Sequence, residues 1–157
     1  MDEGSRLSGL IILLLLCGAA YFALMETAFA SVSRIRIKAR AERGSRHAEK
    51  ALYVLDNFDK AISTILIGTN IIHLTTAAYV TVLVTRRWGV SAVTIGTLVT
   101  TIVVFFIGEM LPKSIAKKYS ERLALATADS LCFFMLIFTP LSYVLTKIGE
   151  GAAKLTH

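Results

Sequence analysis

Between Val90 and Ile107 the chain carries no charged residue. As a helix rising ~1.5 Å per residue, a run of this length nearly crosses the ~30 Å hydrocarbon core of a bilayer. Lipid offers no partners to backbone N–H and C=O groups, so a run that crosses it must close its own bonds as a helix. Two other stretches behave alike. Leu7 to Ala23 is free of charge, with Leu10 to Leu16 unbroken. From about Ala61 to Thr85 the chain is apolar but rich in hydroxyls. The three runs predict an all-α membrane protein with three transmembrane helices. A hydrophobic content of 55% and a mean hydropathy of +0.65 agree.

The first run is too long for a secretory leader. It lacks a positive start and its apolar pattern continues past Glu26 to Val32, so the first span is expected from Leu7 to about Ser33. The third span is expected from about Val90 to Leu111.

Charge sets the topology. The net charge is +6, gathered between the apolar runs. Arg34, Arg36, Lys38, Arg40, Arg43, Arg46 and Lys50 follow the first run. With Ile35, Ile37, Ala48, Ala51, Leu52 and Leu55 interleaved, they read as helix lying near the membrane surface. Lys113, Lys117, Lys118 and Arg122 follow the third run. By the positive-inside rule both ends are cytoplasmic, which puts the N-terminus outside and the C-terminus inside. Arg86 and Arg87 are outweighed by these larger clusters. The basic residues are not interleaved with stacking aromatics, so nucleic acid is not the expected partner. Membrane lipid is.

Leu123 to Thr146 is also apolar, but Asp129 and Thr139-Pro140 interrupt it. It is expected as a bent segment on the cytoplasmic side, or half-buried against the other helices. The membrane domain is expected over residues 1–148, with 149–157 the start of a linker. Cys17 and Cys132 each lie within an apolar run, without a second Cys or a His at ligand spacing, and read as packing residues. There is no Walker A, GxSxG or HExxH pattern, and the expectation is not an enzyme.

Candidate chemistry lies where polar groups enter the spans. Glu26 and Thr27 lie about two-thirds along the first, on one face with Ala23 and Ala30. Thr69, Asn70 and His73 lie in the second, with Asn70 and His73 expected to face the protein interior. Gly108 and Glu109 end the third, just before Pro112. A carboxylate within a span is costly and marks a functional site by default. Opening of the helix around Gly108 or Pro112 would free backbone carbonyls as well. The collected donors are carboxylate, amide, hydroxyl and carbonyl oxygens, which suit Mg²⁺, Ca²⁺ or Na⁺ rather than thiophilic metals. For His73 an interhelical hydrogen bond is the simpler expectation than a metal ligand.

Three motifs carry a resemblance: Glu26-Thr27-Ala28 with Ser31-Val32-Ser33-Arg34-Ile35-Arg36, then Leu66-Ile67-Gly68-Thr69-Asn70, then Gly108-Glu109-Met110-Leu111-Pro112-Lys113. Their spacing over essentially the whole chain resembles the transmembrane (DUF21) domain of the CorC/cyclin M (CNNM) magnesium transporter family. The resemblance implies three transmembrane helices with a belt of cytoplasmic-side juxtamembrane helices. It also implies a homodimer in the plasma membrane, and Mg²⁺ export coupled in some members to inward Na⁺ movement. The implied metal ligands are Glu26, Thr27, Thr69, Asn70, Gly108 and Glu109. Nucleotide-binding cytosolic CBS domains would follow downstream. Ala23, Met25 and His73 depart from the family pattern and remove oxygen ligands. Two other functions fit the same residues: a membrane scaffold or sensor that moves no ion, and a transporter of another cation such as Na⁺ or Co²⁺.

Overall fold

A computed structural model describes residues 3–156, the side chain of Ser142 excepted. Among them are helices and turns and no strand. The helices are α1 (Glu3–Ser31), α2 (Arg34–Glu42), α3 (Arg46–Asp56), α4 (Phe58–Trp88), α5 (Val93–Val103), α6 (Leu111–Lys118), α7 (Ser120–Ile137) and α8 (Thr139–Leu155). A 3₁₀ turn over Val90–Ala92 leads into α5, and a π-helical stretch over Val104–Met110 joins α5 to α6. Among the described residues three helical stretches are each long and apolar enough to cross a membrane, α1, α4 and the run Val90–Lys118, and the bent pair α7 and α8 is so only when taken together. The expected three spans are present, and each helix runs past its apolar core. At ~1.5 Å per residue, the 31 residues of α4 rise well beyond a hydrocarbon layer of ~30 Å.

The chain forms two compact units. The first contains the chain through Leu24 and Gly68–Lys118; the second contains Met25–Ile67 and the chain from Tyr119 onward. In the first unit small residues set the contacts. Phe22 of α1 lies against Gly68 of α4, where a β-carbon would fall 2.5 Å from the ring's Cζ. Val84 of α4 lies over Gly96 of α5, where a β-carbon would fall 2.9 Å from Val84 Cγ2. Small residues permit such approach between helices that have no hydrophobic drive to associate in lipid.

In the second unit the basic stretch is two helices, where the sequence suggested one. Gly44 takes φ +93, a conformation that ends a helix, and Ser45 then caps α3 by accepting the Ala48 N–H. Ala48, Ala51 and Val54 of α3 are buried, and α3 packs on α7, whose Ala124, Ala128, Leu131 and Met135 are buried as well. Ion pairs border this apolar seam. Arg40 Nε lies 2.7 Å from Glu121 Oε1, Arg34 Nη2 2.6 Å from Asp56 Oδ1, and Lys50 Nζ 2.6 Å from Asp129 Oδ1. Helices α7 and α8 meet at 63°, with Pro140 in the first turn of α8, so the expected break at Thr139-Pro140 is there. Helix α8 runs through Gly149 to Leu155.

The Lys50–Asp129 bridge has a defined pH signature. Its hydrogen bond to Lys50 holds the Asp129 carboxyl below its usual 3.8, and the same bond holds the Lys50 ammonium above its usual 10.5. Stability from the carboxylate is fully present above pH 3.8 and is lost as pH falls through its lowered folded value. Stability from the ammonium is fully present below pH 10.5 and is lost as pH rises through its raised value. Asp129→Asn is therefore expected to lower the melting temperature at neutral pH. The gap from the native protein should close in strong acid, as thermal melts across a pH series would show. A gap that is constant with pH would exclude the bridge as its source.

Candidate functional site

The site begins with the backbone of the third span. From Val104 to Met110 the helix widens to π spacing, and the Leu111 N–H reaches back five residues to the Phe106 carbonyl. Single π turns inside α-helices occur frequently at functional sites. Pro112, buried in the first turn of α6, brings no N–H to the turn before it. The sequence suggested that the helix would open near Gly108 and Pro112; the departure takes the form of a wider turn instead of an unwound one. Gly108 is buried within it. A β-carbon there would meet Ala19, Leu16 and Val104 at 3.5 Å, which is ordinary contact. Bulk at this position is thus only mildly constrained.

Glu109 follows Gly108 in the π turn. Its Oε1 stands 3.6 Å from Nε2 of His73 on α4, and both side chains are 31% exposed. The separation is longer than a hydrogen bond. His73 Nε2 is buried and has no hydrogen-bond partner. One turn earlier on α4, the Thr69 hydroxyl oxygen is buried and unpartnered too. Leaving a buried polar atom unpaired costs about 1–3 kcal/mol. Two such atoms on one helix face, next to a carboxylate, indicate a place built to hold something polar.

His73 and Thr76 of α4 open on a cavity of about 310 Å³ inside the first unit. His73, Glu109, Thr76, Thr97, Thr100 and Thr101 contribute its polar lining. The Thr76, Thr100 and Thr101 hydroxyls donate to the carbonyls of Ile72, Gly96 and Thr97. Their protons are satisfied within their own helices, and their oxygens keep lone pairs for an incoming cation. Among the described residues no three His, Cys, Asp or Glu side chains form a metal-holding group. What this cavity offers is one carboxylate, one imidazole and several neutral oxygens.

The sequence candidates fall as follows. Thr69, Asn70, Gly108 and Glu109 belong to the first unit. Thr69 is half-buried, Gly108 buried, Glu109 half-buried and Asn70 exposed. Glu26 and Thr27 belong to the second unit, half-buried and buried respectively. The expectation that Asn70 and His73 share the interior face does not match the rotation of α4. The inward line is Thr69, His73 and Thr76, at i, i+4 and i+7, and Asn70 lies off it. The interhelical hydrogen bond expected for His73 is not made by its Nε2, which instead stands 3.6 Å from Glu109 of the third span, a partner the sequence did not name. The spacing from Thr69 to His73 was its available signal, because residues four apart stack on one helix face.

These features define an all-α, multi-pass membrane domain with a polar cavity among membrane helices. The chain belongs to the cyclin M family: the family model for the cyclin M transmembrane N-terminal domain matches residues 10–157. It is 34% identical to the UPF0053 inner membrane protein YfjD of Escherichia coli over 130 residues, 83% of this chain and 30% of that protein. It is 32% identical over 151 residues to a UPF0053 protein of Haemophilus influenzae, covering 95% of this chain and 36% of that protein. A chloroplastic DUF21 domain-containing protein of Arabidopsis thaliana is 28% identical over 152 residues, 96% of this chain and 23% of its own length. The chain thus spans about a third of the first two of these relatives. Family and fold together make it a multi-pass membrane domain of the cyclin M family.

Proposed function

We propose that this domain moves Mg²⁺ across the membrane, with Glu109 as the carboxylate that receives the ion. The observation that carries the proposal is Glu109 in a π turn, 3.6 Å from the buried, unpartnered Nε2 of His73, with the buried, unpartnered Thr69 hydroxyl one turn earlier on the same helix as His73. Mg²⁺ keeps several of its waters and takes only one or two carboxylates, so a cavity lined by threonine hydroxyls beside one glutamate suits it. Asn70 and the carbonyls around Gly108 supply further oxygens near the same turns of α4 and the π stretch. Glu26 and Thr27 are proposed ligands on their own helix. Export coupled to inward Na⁺ movement, a homodimer joined through the second and third spans, an external N-terminus and cytoplasmic CBS domains downstream complete the reading.

The test is ion flux in reconstituted vesicles, followed with a Mg²⁺-sensitive dye trapped inside. Mg²⁺ flux above that of empty vesicles is expected, and it should persist against competing Co²⁺ and in the absence of Na⁺ on one side at a changed rate. Flux no greater than in empty vesicles would overturn transport and favour a scaffold. Flux of Na⁺ or Co²⁺ without Mg²⁺ would overturn the choice of ion.

A further inference from the structure

A second cavity in the first unit has a different chemistry. It is an apolar groove of about 560 Å³ among α1, α4 and α5. Ile12, Leu16, Val80, Leu83, Val99 and Val103 supply much of its wall. Its wall also contains Trp88, the last residue of α4 and the chain's single tryptophan. Trp88 is 65% exposed, and the two residues before it are Arg86 and Arg87, both exposed. The Arg87 guanidinium lies 5.7 Å from the Trp88 ring centroid, and its Nη1 lies 3.5 Å from the Ser5 hydroxyl. Both neighbours are neutral, so neither neutralises its charge.

We infer that this groove binds the acyl chain of an anionic phospholipid whose phosphate rests on Arg86 and Arg87. An apolar hollow of this size, left empty, forfeits the dispersion contacts of everything that lines it. Within a bilayer the nearest filler is an acyl chain. Water finds few polar partners along these walls, where only Thr76 and Thr100 bring hydroxyls, both already donating within their own helices. The helix end supplies the other half of the ligand. Arginine matches phosphate oxygens with paired N–H donors, and indole rings settle at the headgroup layer. The Arg86-Arg87-Trp88 end of α4 therefore selects the headgroup, and the groove below it holds the tail. The two parts sit in one amphipathic ligand's order, charged above apolar. This assignment is independent of the ion carried.

The single tryptophan makes the test direct. The protein is reconstituted into vesicles of one composition, a minority of phosphatidylglycerol in phosphatidylcholine. In one set the phosphatidylglycerol chains are brominated close to the headgroup; in the other an equal amount of phosphatidylcholine is brominated instead. Surface charge is the same in both. Trp88 fluorescence should be quenched preferentially by brominated phosphatidylglycerol, with a relative occupancy about thirtyfold in its favour, the scale set by two arginines at an anionic headgroup. Arg86→Gln with Arg87→Gln should abolish the preference while quenching by bulk lipid remains. In a Trp88→Phe, Val99→Trp background the probe moves into the groove, and mid-chain bromines on phosphatidylglycerol should again quench more strongly. Equal quenching from the two labels in the native protein overturns the proposal. So does a preference that survives loss of both arginines. Absence of quenching at position 99 by either label means that protein covers the groove, such as a second copy of the chain, and overturns it as well.

Discussion

Glu109→Gln is expected to cut Mg²⁺ flux by about ten- to hundredfold or more while leaving the fold at least as stable. Loss of a group that only supports a ligand typically costs ten- to hundredfold in metal affinity or activity, and loss of the ligand's own charge should cost no less. The stability half of the prediction comes from the same geometry. Glu109 is half-buried on a membrane helix and lies 3.6 Å from His73 Nε2, beyond hydrogen-bond range. A carboxylate so placed carries a desolvation cost that little in the structure repays. Glutamine keeps its shape and removes the charge, so the melting temperature should hold or rise as transport falls. A carboxylate retained for packing would behave oppositely, with stability lost and flux intact. His73→Asn is the companion variant. It removes the imidazole from beside Glu109 but keeps an oxygen that can serve Mg²⁺, and flux should survive it. Flux in Glu109→Gln equal to native, in protein of native melting temperature, would remove Glu109 from the site.

The sequence revealed the spans more readily than the site, and the reason is physical. Freedom from charge over Val90 to Ile107 is a requirement of the bilayer, independent of any neighbour, and can be read from composition. The break at Thr139-Pro140 was legible for a similar reason, since proline acts on its own backbone. Helix rotation is different. Whether Asn70 or Thr69 turns inward depends on which face of α4 meets its neighbours, and Phe22 against Gly68 helps to decide it. The polar residues alone favoured Asn70 with His73, three apart; packing selected Thr69 with His73, four apart. The π stretch over Val104–Met110 was only partly visible. Gly108 and Pro112 indicated an irregular place, but a wide turn and an unwound one have the same composition. The basic stretch after α1 was legible as charge and not as partners. Arg36 and Arg40 both reach Glu121, which is 85 residues from Arg36 along the chain.

Gly68→Leu should be the most damaging single change to the first unit, lowering its stability by about 3 kcal/mol or more. A β-carbon at Gly68 would lie 2.5 Å from Phe22 Cζ and 2.6 Å from Cε1, closer than non-bonded carbons come without movement. Phe22 is only 6% exposed, so its ring has little room to retreat. Leucine is otherwise a better helix former than glycine by close to 1 kcal/mol, so propensity works against the predicted sign. Gly9→Leu supplies the control, because nothing lies within 4 Å of a β-carbon there and only the propensity gain remains. Gly18→Ala sits between the two. Its new methyl would meet Ile72 Cδ1 at 2.9 Å, the free end of a flexible side chain, and a rotamer change relieves the contact cheaply. The decisive measurement is a double-mutant cycle of Gly68→Leu with Phe22→Ala, read by thermal or denaturant unfolding in detergent. Leucine at 68 should recover much of its loss when the ring is removed, giving a coupling within the 0.5–3 kcal/mol range of residues in contact. Additive losses would mean that the two helices do not meet at this pair. The same variant bears on function, since Thr69 directly follows Gly68, and a helix pushed away from Phe22 takes the Thr69 hydroxyl and His73 with it. Gly68→Leu is therefore expected to lose flux together with stability, whereas Glu109→Gln loses flux alone.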